Sequence, residues 1–380
     1  MPGPLQGLRV VELSNLAPVP FACMMLSDLG AEVLRIDRAA HVSSMPYDAA
    51  GDALARGRRS VGVDLKTPDG REVLLRLAGS ADVLIEGYRP GVCERLGIGP
   101  ADCLARNARL VYARLSGWGQ EGPLATSAGH DIDYLAVSGA LWPIGPSGQP
   151  PTPPLNYVAD FGGGGMLAVV GILAALHERG RSGTGQVVDA AMVDGAALLS
   201  TAVHGYRAGG IWNDERGTNP LDGSAPFYRC YACADGAYVA VGAIEPQFYG
   251  ALLTGLGLDL DSLPDQYDRD WWPEMAEHLG REFATRTRDE WVGAFAGTDA
   301  CVAPVLTPGE APEHEHNAER GTFVDVGGQI QPGVAPRLSR TPGRVQGPPP
   351  RAGQHTAQAL GDWGFTENEV ADLLAAGTVR

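Results

Sequence analysis

The chain reads Leu8-Arg9-Val10-Val11-Glu12-Leu13 near its start, and this apolar stretch, with the segments behind it, decides the fold. It predicts a buried strand, followed by a helix from Phe21 to Leu29 and a second strand from Glu32 to Ile36. Thr67 and Pro68 are typical of an N-cap and a first helical position, so we expect a helix from there to about Ala78. Further strands are predicted at residues 61–65, 82–88, 110–115 and 186–189. This alternation predicts an α/β domain with a mostly parallel, doubly wound sheet.

The turn after the first strand argues against a dinucleotide cofactor. It reads Ser14-Asn15-Leu16-Ala17-Pro18-Val19-Pro20 and contains no glycine. A nicotinamide or flavin site needs the pattern G-x-G-x-x-G at this turn, because the glycines let a pyrophosphate approach the helix N-terminus. The sheet is therefore expected to serve another ligand.

The charge of the chain restricts its partners. The 380 residues carry a formal net charge of -16, which argues against a nucleic-acid surface. Lys66 is the single lysine, and the other cations are arginines, which bind phosphate in a bidentate manner. The basic residues near the predicted strand ends indicate either a polyphosphate site or a solvated charged face; they are Arg35, Arg38, Arg56, Arg58, Arg59, Lys66, Arg89 and Arg95.

Targeting and metal signals are weak. The sequence shows neither an apolar run of about 18 residues nor a signal peptide, so we expect a cytoplasmic protein without a membrane span. The six cysteines are expected to be reduced, and Cys230-x-x-Cys233 lacks the second pair that a zinc ribbon needs. The sequence from His314 to His316 is typical of a solvated loop, so no metal site is predicted.

Composition divides the chain into segments. Residues 1–207 form the predicted large domain, and the Gly- and Asn-rich residues 208–226 form a linker. Residues 227–308 are predicted to form a small α+β domain, with strands at 227–233 and 237–241 around a hairpin turn. The Pro- and Gly-rich residues 309–352 predict an extended return path, and residues 353–380 are expected to pack on the large domain.

Two ionisable residues in glycine-marked breaks suggest proton transfer. His130 lies in Gly129-His130-Asp131-Ile132-Asp133-Tyr134, and Asp160 precedes four consecutive glycines. A lone histidine is usually structural, and a lone aspartate is often a helix cap. Here the glycines suggest bare N–H groups at a helix start, which would hold an enolate oxygen. An imidazole and a carboxyl group on opposite sides of one carbon could remove a proton from one face and return it to the other.

Several motifs resemble those of the α-methylacyl-CoA racemases, which belong to the family III CoA-transferases. They include the His130 and Asp160 motifs, Val63-Asp64-Leu65-Lys66, and residues 84–92, 186–195 and 241–246. The resemblance covers nearly the whole chain. It implies a Rossmann-like large domain, a smaller α+β domain, and connections that interlock two subunits into a homodimer. The active site would then lie between the large domain of one subunit and the small domain of the other.

The resemblance also implies roles for individual residues. His130 and Asp160 would exchange the α-proton of a 2-methylacyl-CoA thioester without any cofactor, and Glu245 would support them. Asp133 stands where relatives often have Asn. A CoA-transferase that uses Asp160 covalently and a catalytically silent CoA-binding protein remain alternatives. The implied CoA- and substrate-binding residues are Arg38, Val63, Asp64, Leu65, Lys66, Tyr88, Arg89, Arg95, Gly129, Asp131, Ile132, Asp133 and Tyr134.

Overall fold

The computed structural model describes residues 3–13, 17–42, 52–259 and 263–380. Ser14 to Leu16 of the first turn therefore lie outside the described residues. The chain forms two compact units. The first contains Met1–Ser138, Leu155–Leu199 and Glu315–Arg380, and the second contains Gly139–Pro154 and Ser200–His314. The second unit thus includes residues 139–154 and 200–207, which the sequence-based limits assign to the large domain.

The first unit is built on a six-stranded parallel sheet, as the strand and helix pattern predicts. The strand order is β3-β2-β1-β4-β5-β6, and Val11 of the central strand lies between Leu34 and Leu84. The side chains from Val10 to Leu13 on β1 are buried because helices cover both faces of such a sheet. The strands are β1 (Arg9–Leu13), β2 (Glu32–Arg38), β3 (Arg59–Val63), β4 (Val83–Glu86), β5 (Val111–Ser116) and β6 (Val187–Ala191).

The helices of this unit follow the predicted pattern with additions. Thr67 is the N-cap of α2, and its hydroxyl oxygen accepts a hydrogen bond from the Gly70 backbone N–H at 3.0 Å. The short helices α3, α4 and α5 are not predicted from the sequence. The helices are α1 (Pro18–Asp28), α2 (Pro68–Ser80), α3 (Val92–Leu96), α4 (Pro100–Arg106), α5 (Asp131–Ser138), a π-helix (Tyr157–Met166) that continues as α6 (Leu167–Ser182), and α7 (Met192–Leu199).

The π-helix and α6 together form one long apolar helix, Tyr157–Ser182, which is long and apolar enough to cross a membrane by length and composition. The sequence-based expectation that the chain contains no apolar stretch of this length is therefore wrong for residues 157–182. Ala168, Val169 and Ile172 of this helix are buried inside the first unit, and Arg179 at its end pairs with Asp82 at 2.8 Å. Its apolar composition thus has a packing explanation.

The second unit has its own core. A helix predicted from Met192 to Arg207 is interrupted at Ser200, so that α8 (Thr201–Ala208) belongs to this unit. Phe227, Phe283 and Trp291 are fully buried at its centre. The core lies between three antiparallel strands, β7 (Tyr228–Ala232), β8 (Tyr238–Gly242) and β9 (Val302–Pro304), and the helices α9 (Pro246–Gly255), α10 (Trp272–Phe283) and α11 (Arg288–Phe295).

The segment from 309 to 352 is more structured than an extended return path. It contains α12 (Glu315–Arg320) and a hairpin of β10 (Phe323–Val326) and β11 (Gln329–Pro332). The two glycines at 327 and 328 have positive φ angles, which the tight hairpin turn requires. The chain ends in α13 (Thr356–Asp362) and α14 (Glu367–Ala375), whose Leu360 and Val370 join the same apolar cluster as Val61 of β3.

Candidate active site

Two cavities lie at the carboxyl edge of the parallel sheet, where α/β folds bind ligands. The first, which we call the His130 cavity, has a volume of about 560 Å³, and both His130 and Asp160 line it. The structure therefore brings together the two residues that the sequence selects as proton carriers. The lining comprises residues 17–19, 87–90, 115–118, 125, 127–130, 134, 160 and 192.

The second cavity, which we call the Lys66 cavity, has a volume of about 750 Å³. Tyr88 and Arg89 line both cavities, so the two are neighbours along one groove. The backbone N–H of Tyr88 is held by Glu86, whose Oε2 accepts it at 2.6 Å. Eight residues implied in CoA binding line the Lys66 cavity: Arg38, Val63, Asp64, Leu65, Lys66, Tyr88, Arg89 and Arg95.

His130 immediately precedes α5. Its backbone N–H donates to Asp133 Oδ2 at 2.9 Å, which is one half of a capping box. Asn could accept the same hydrogen bond, so Asp133 has a local role that tolerates the exchange. Gly129 is required by close packing, because a Cβ there would lie 2.7 Å from the Tyr134 ring and 3.0 Å from Trp118 Nε1.

Asp160 lies within the π-helix, and this corrects the sequence-based hypothesis for the four glycines. The helix begins at Tyr157, so the glycine N–H groups are inside it and do not form an anion site at its start. The free N–H groups at the true start belong to the residues before the glycines. Asp131 Oδ2 accepts two of them, from Ala159 at 2.9 Å and from Asp160 at 2.7 Å.

The glycine run instead permits close packing between helices. A Cβ at Gly163 would lie 2.8 Å from the backbone N of Ala196 in α7. A Cβ at Gly165 would lie 2.7 Å from the ring of Phe21 in α1. Since neither a backbone atom nor an aromatic ring can move aside at little cost, side chains at these positions would push the Asp160 segment away from α7 and α1.

The surroundings of Asp160 favour its protonated form. Burial raises the pKa of its carboxyl group, and the negative charge of Asp131 raises that pKa further. A hydrogen bond from Asn156 Nδ2 at 3.4 Å and the positive charge of His130 oppose this shift. Burial, followed by the charge of Asp160, also raises the pKa of Tyr134 to about 12. The phenol at the cavity wall is therefore neutral near pH 7.

The structure separates the predicted basic cluster into two groups. Arg56 and Arg58 directly precede β3 and line neither the His130 cavity nor the Lys66 cavity. Both are buried in ion pairs, Arg56 with Asp28 at 2.5 Å and Arg58 with Glu12 at 2.9 Å. Arg35 and Arg59 also pair with carboxylates. The polyphosphate interpretation is therefore wrong for these four arginines, because each is paired with a carboxylate and lines neither cavity. It stays a prediction for the cations that line the Lys66 cavity.

Several implied site residues lie elsewhere. Asp131 is buried, whereas Ile132 and Asp133 are exposed on α5, and none of the three lines either cavity as described. Glu245 belongs to the second unit, where it is the N-cap residue of α9. Its supporting role therefore stays a prediction. Within the described ranges, no group of three or more His, Cys, Asp or Glu side chains could hold a metal ion.

Sequence reasoning missed three neighbours of the two ionisable residues. Trp118 and Met192 line the His130 cavity, and Asn156 donates a hydrogen bond to Asp160. A signal existed for Trp118, because it lies two residues after Ser116, the last residue of β5. Asn156 carries no comparable signal, since its position depends on where the π-helix begins.

Comparisons with known proteins agree with this arrangement. Residues 5–356 match the family model described as CoA-transferase family III. The chain is 50% identical over 371 residues to the alpha-methylacyl-CoA racemase of Mus musculus, covering 97% of this chain and 96% of that protein. The protein of the same name from Homo sapiens is 49% identical over 371 residues, with the same coverage.

More distant relatives carry a different name or only a family name. The succinyl-CoA–D-citramalate CoA-transferase of Chloroflexus aurantiacus is 30% identical over 405 residues, covering 98% of each chain. Among solved structures, a CAIB/BAIF family protein from Brucella suis matches with a TM-score of 0.83 and 25% identity. That match covers 96% of this chain and 100% of the other.

Proposed function

The chain belongs to CoA-transferase family III, and from that premise we propose that it is a racemase that interconverts (2R)- and (2S)-2-methylacyl-CoA thioesters. The observation that carries the proposal is the presence of His130 and Asp160 in one cavity at the carboxyl edge of the sheet. A second base is what proton exchange requires on the face opposite the first. The two relatives that are about 50% identical bear the racemase name, which supports the same reaction.

The proposed mechanism needs only these two side chains and the thioester. The thioester acidifies the α-carbon, and His130 removes the α-proton from one enantiomer because a neutral imidazole is a competent base near pH 7. The electrons move to the thioester oxygen and form an enolate. Asp160, whose pKa is raised by burial and by the charge of Asp131, carries the proton in this direction of the reaction and delivers it to the opposite face. For the other enantiomer the roles reverse.

The CoA part of the substrate would supply the binding energy. Arg38, Lys66 and Arg95 line the Lys66 cavity, and their positive charges suit the phosphates of CoA. Tyr88 and Arg89 connect this cavity with the His130 cavity, so an extended thioester could reach from one to the other. Binding of the remote phosphates then positions the reacting carbon between the two bases.

Deuterium exchange tests this proposal directly. A single enantiomer of a 2-methylacyl-CoA, incubated with the protein in deuterated water, should be inverted with uptake of deuterium at the α-carbon. The measurement is mass spectrometry combined with chiral separation of the acyl group. The racemase function is refuted if a panel of branched acyl-CoAs shows no inversion and no deuterium uptake.

Substitution of the histidine tests the two-base assignment. His130→Ala should reduce racemisation at least about a hundredfold, because general acid–base catalysis contributes on that scale. Asp194→Asn is the matched control, since Asp194 is exposed on α7 and does not line the cavity. Wild-type rates in His130→Ala would show that a different residue is the base.

CoA transfer is the second candidate, because the relative that is 30% identical bears a CoA-transferase name. The Asp160 carboxylate would attack the thioester carbonyl and release CoA thiolate. The thiolate would then attack the aspartyl carbonyl of the anhydride, release the free acid and leave an aspartyl-CoA thioester. Hydroxylamine should trap this thioester at Asp160 during turnover with an acceptor acid. Trapping together with acid-dependent CoA exchange would favour the transferase over the racemase.

We also propose that the protein is a cytoplasmic homodimer that needs no cofactor besides the CoA of its substrate. Large apolar side chains of the first unit support the dimer because they are exposed, among them Val170 at 60%, Val187 at 42% and Leu199 at 55%. Val170→Glu should therefore shift the molar mass in light scattering from two chains to one. Activity after dialysis against a chelator tests the cofactor proposal, and cell fractionation tests the location.

A further inference from the structure

We infer that Asp131 is a positioning residue for proton transfer. Its buried carboxylate holds the backbone of Asp160, and because Asp131 is bonded to His130 in the chain, it also restrains the position of His130. This inference deepens the proposed racemase function and rests on it. The resemblance to known racemases assigns Asp131 to substrate binding, whereas the structure buries it behind the cavity wall, with 6% of its surface exposed.

The geometry connects the two bases through one side chain. Asp131 Oδ2 accepts the backbone N–H of Asp160 at 2.7 Å and that of Ala159 at 2.9 Å. His130 is the adjacent residue in the chain, at the start of α5. A displacement of this carboxylate would therefore move both ends of the proton path, and misplacement by about 1 Å can cost about a hundredfold in rate.

The hydrogen-bond pattern at the start of the π-helix supports a role beyond capping. Asn156 occupies the N-cap position but makes no side-chain cap hydrogen bond. Its amide instead donates to Asp160 Oδ2. Asp131, on a different helix, accepts the free N–H groups in its place. The Asn156 side chain thus binds the reacting carboxyl group of Asp160, and Asp131 accepts the backbone N–H groups that a capping side chain would otherwise bind.

The electrostatic effect of Asp131 has the sign that proton delivery requires. Its negative charge is the second-largest cause, after burial, of the raised pKa of Asp160. Asn156 and His130 lower that pKa, and the other charged or titratable groups facing this cluster are Asp133, Tyr134 and Arg89. Asp131 Oδ1 is buried and has no hydrogen-bond partner among the described residues. Burying a carboxylate oxygen without a hydrogen-bond partner costs free energy, so its retention calls for a functional reason.

The test compares two substitutions at Asp131. Asp131→Ala removes the acceptor for both N–H groups and should reduce kcat about a hundredfold, with little change in KM. Asp131→Asn keeps an acceptor oxygen but removes the charge, so the loss should be smaller. The active pair of bases shares one proton, and activity falls on the acid side when both are protonated. In Asp131→Asn this acid limb of the pH profile should move to lower pH.

Two further variants make the pH profile decisive. Asn156→Ala removes a group that lowers the pKa of Asp160, so its acid limb should move to higher pH. Asp194→Asn removes the same charge from an exposed position on α7 and should leave rate and profile unchanged. Asp131→Asn could instead lose thermal stability and rate while its acid limb stays at the wild-type pH. That result would show that Asp131 is only a structural cap, and it would overturn the inference.

A second measurement separates this inference from the proposed function. Carboxyl-¹³C NMR titration of Asp160, assigned by the signal that Asp160→Asn loses, reports its protonation without turnover. The resonance should titrate at lower pH in Asp131→Asn than in the wild type. If the wild type shows no α-deuterium exchange, the racemase proposal fails and the titration still decides the effect of Asp131. If exchange occurs but neither the titration nor the pH profile shifts, the inference about Asp131 fails alone.

Discussion

The arginines before β3 and the cations around the Lys66 cavity carry the same positive charge but have different surroundings: the first are buried beside carboxylates, and the second line a cavity. Arg58 is fully buried, pairs with Glu12 at 2.9 Å, and donates to the carbonyl oxygens of Leu54 and Pro20. Lys66 and Arg95, by contrast, are exposed beside the cavity, and within the described ranges neither forms an ion pair. The first group connects elements of the fold, and the second is free to meet an anionic ligand.

Burial and pairing therefore decide what each cation does in this fold. Arg58, directly before β3, is buried and fixes β1 and α1 to the segment before β3. Residues that follow a strand lie at the carboxyl edge, where ligands bind. Substitutions in the two groups should therefore separate stability from substrate affinity.

The largest effect is expected from the buried pair. Arg58→Met should lower the free energy of unfolding by about 3–5 kcal/mol, because it leaves the Glu12 carboxylate buried without its partner. The measurement is urea denaturation followed by circular dichroism. The double variant Arg58→Met/Glu12→Leu should recover much of the loss. A single variant within about 1 kcal/mol of the wild type would contradict the structural role of Arg58.

A smaller effect, on affinity rather than stability, is expected at the cavity. Lys66→Met or Arg95→Met should raise KM for acyl-CoA about tenfold, since a hydrogen bond to a charged group contributes about 1.5–3 kcal/mol. The unfolding free energy should stay unchanged, and added salt should raise the wild-type KM by screening. Arg181→Met, at an exposed position near the end of α6, is the matched control. Unaltered KM in both cavity variants would remove the phosphate assignment.

The smallest effect is expected from an arginine that is paired but exposed. Arg76 Nη1 lies 2.7 Å from Glu369 Oε1, and this hydrogen bond is the main cause that lowers the pKa of Glu369 to about 2. Glu369→Gln keeps the capping box with Thr366 but loses the charge. The lowered pKa means that the stabilisation is present above the ordinary glutamate pKa and is lost as the pH falls through about 2.

Thermal melts across this pH range check the third prediction. The difference in Tm between the wild type and Glu369→Gln should be small at neutral pH, since exposed ion pairs contribute little. It should disappear as the pH falls towards 2. A loss as large as that of Arg58→Met would show that burial does not separate these arginines.

The sequence alone predicted much of the fold because local patterns carry it. The strands around Val11 and Leu34 are apolar runs, and Thr67 with Pro68 marks a helix start that the structure confirms. The hairpin of β10 and β11 was missed because a Pro- and Gly-rich composition is shared by turns and extended chain. The sequence likewise selected His130 and Asp160, since their motifs are uncommon and each adjoins glycine.

Tertiary structure decided the rest, because it depends on which groups meet across the fold. Asp131 and Asp160 are 29 residues apart, and no spacing rule shows that one carboxylate holds the backbone of the other. The glycines after Asp160 suggested an anion site, but packing against α7 and α1 explains them. Arg58 and Lys66 look alike in sequence. Burial of one beside Glu12 and exposure of the other at the carboxyl edge separate a structural cation from a ligand-binding one.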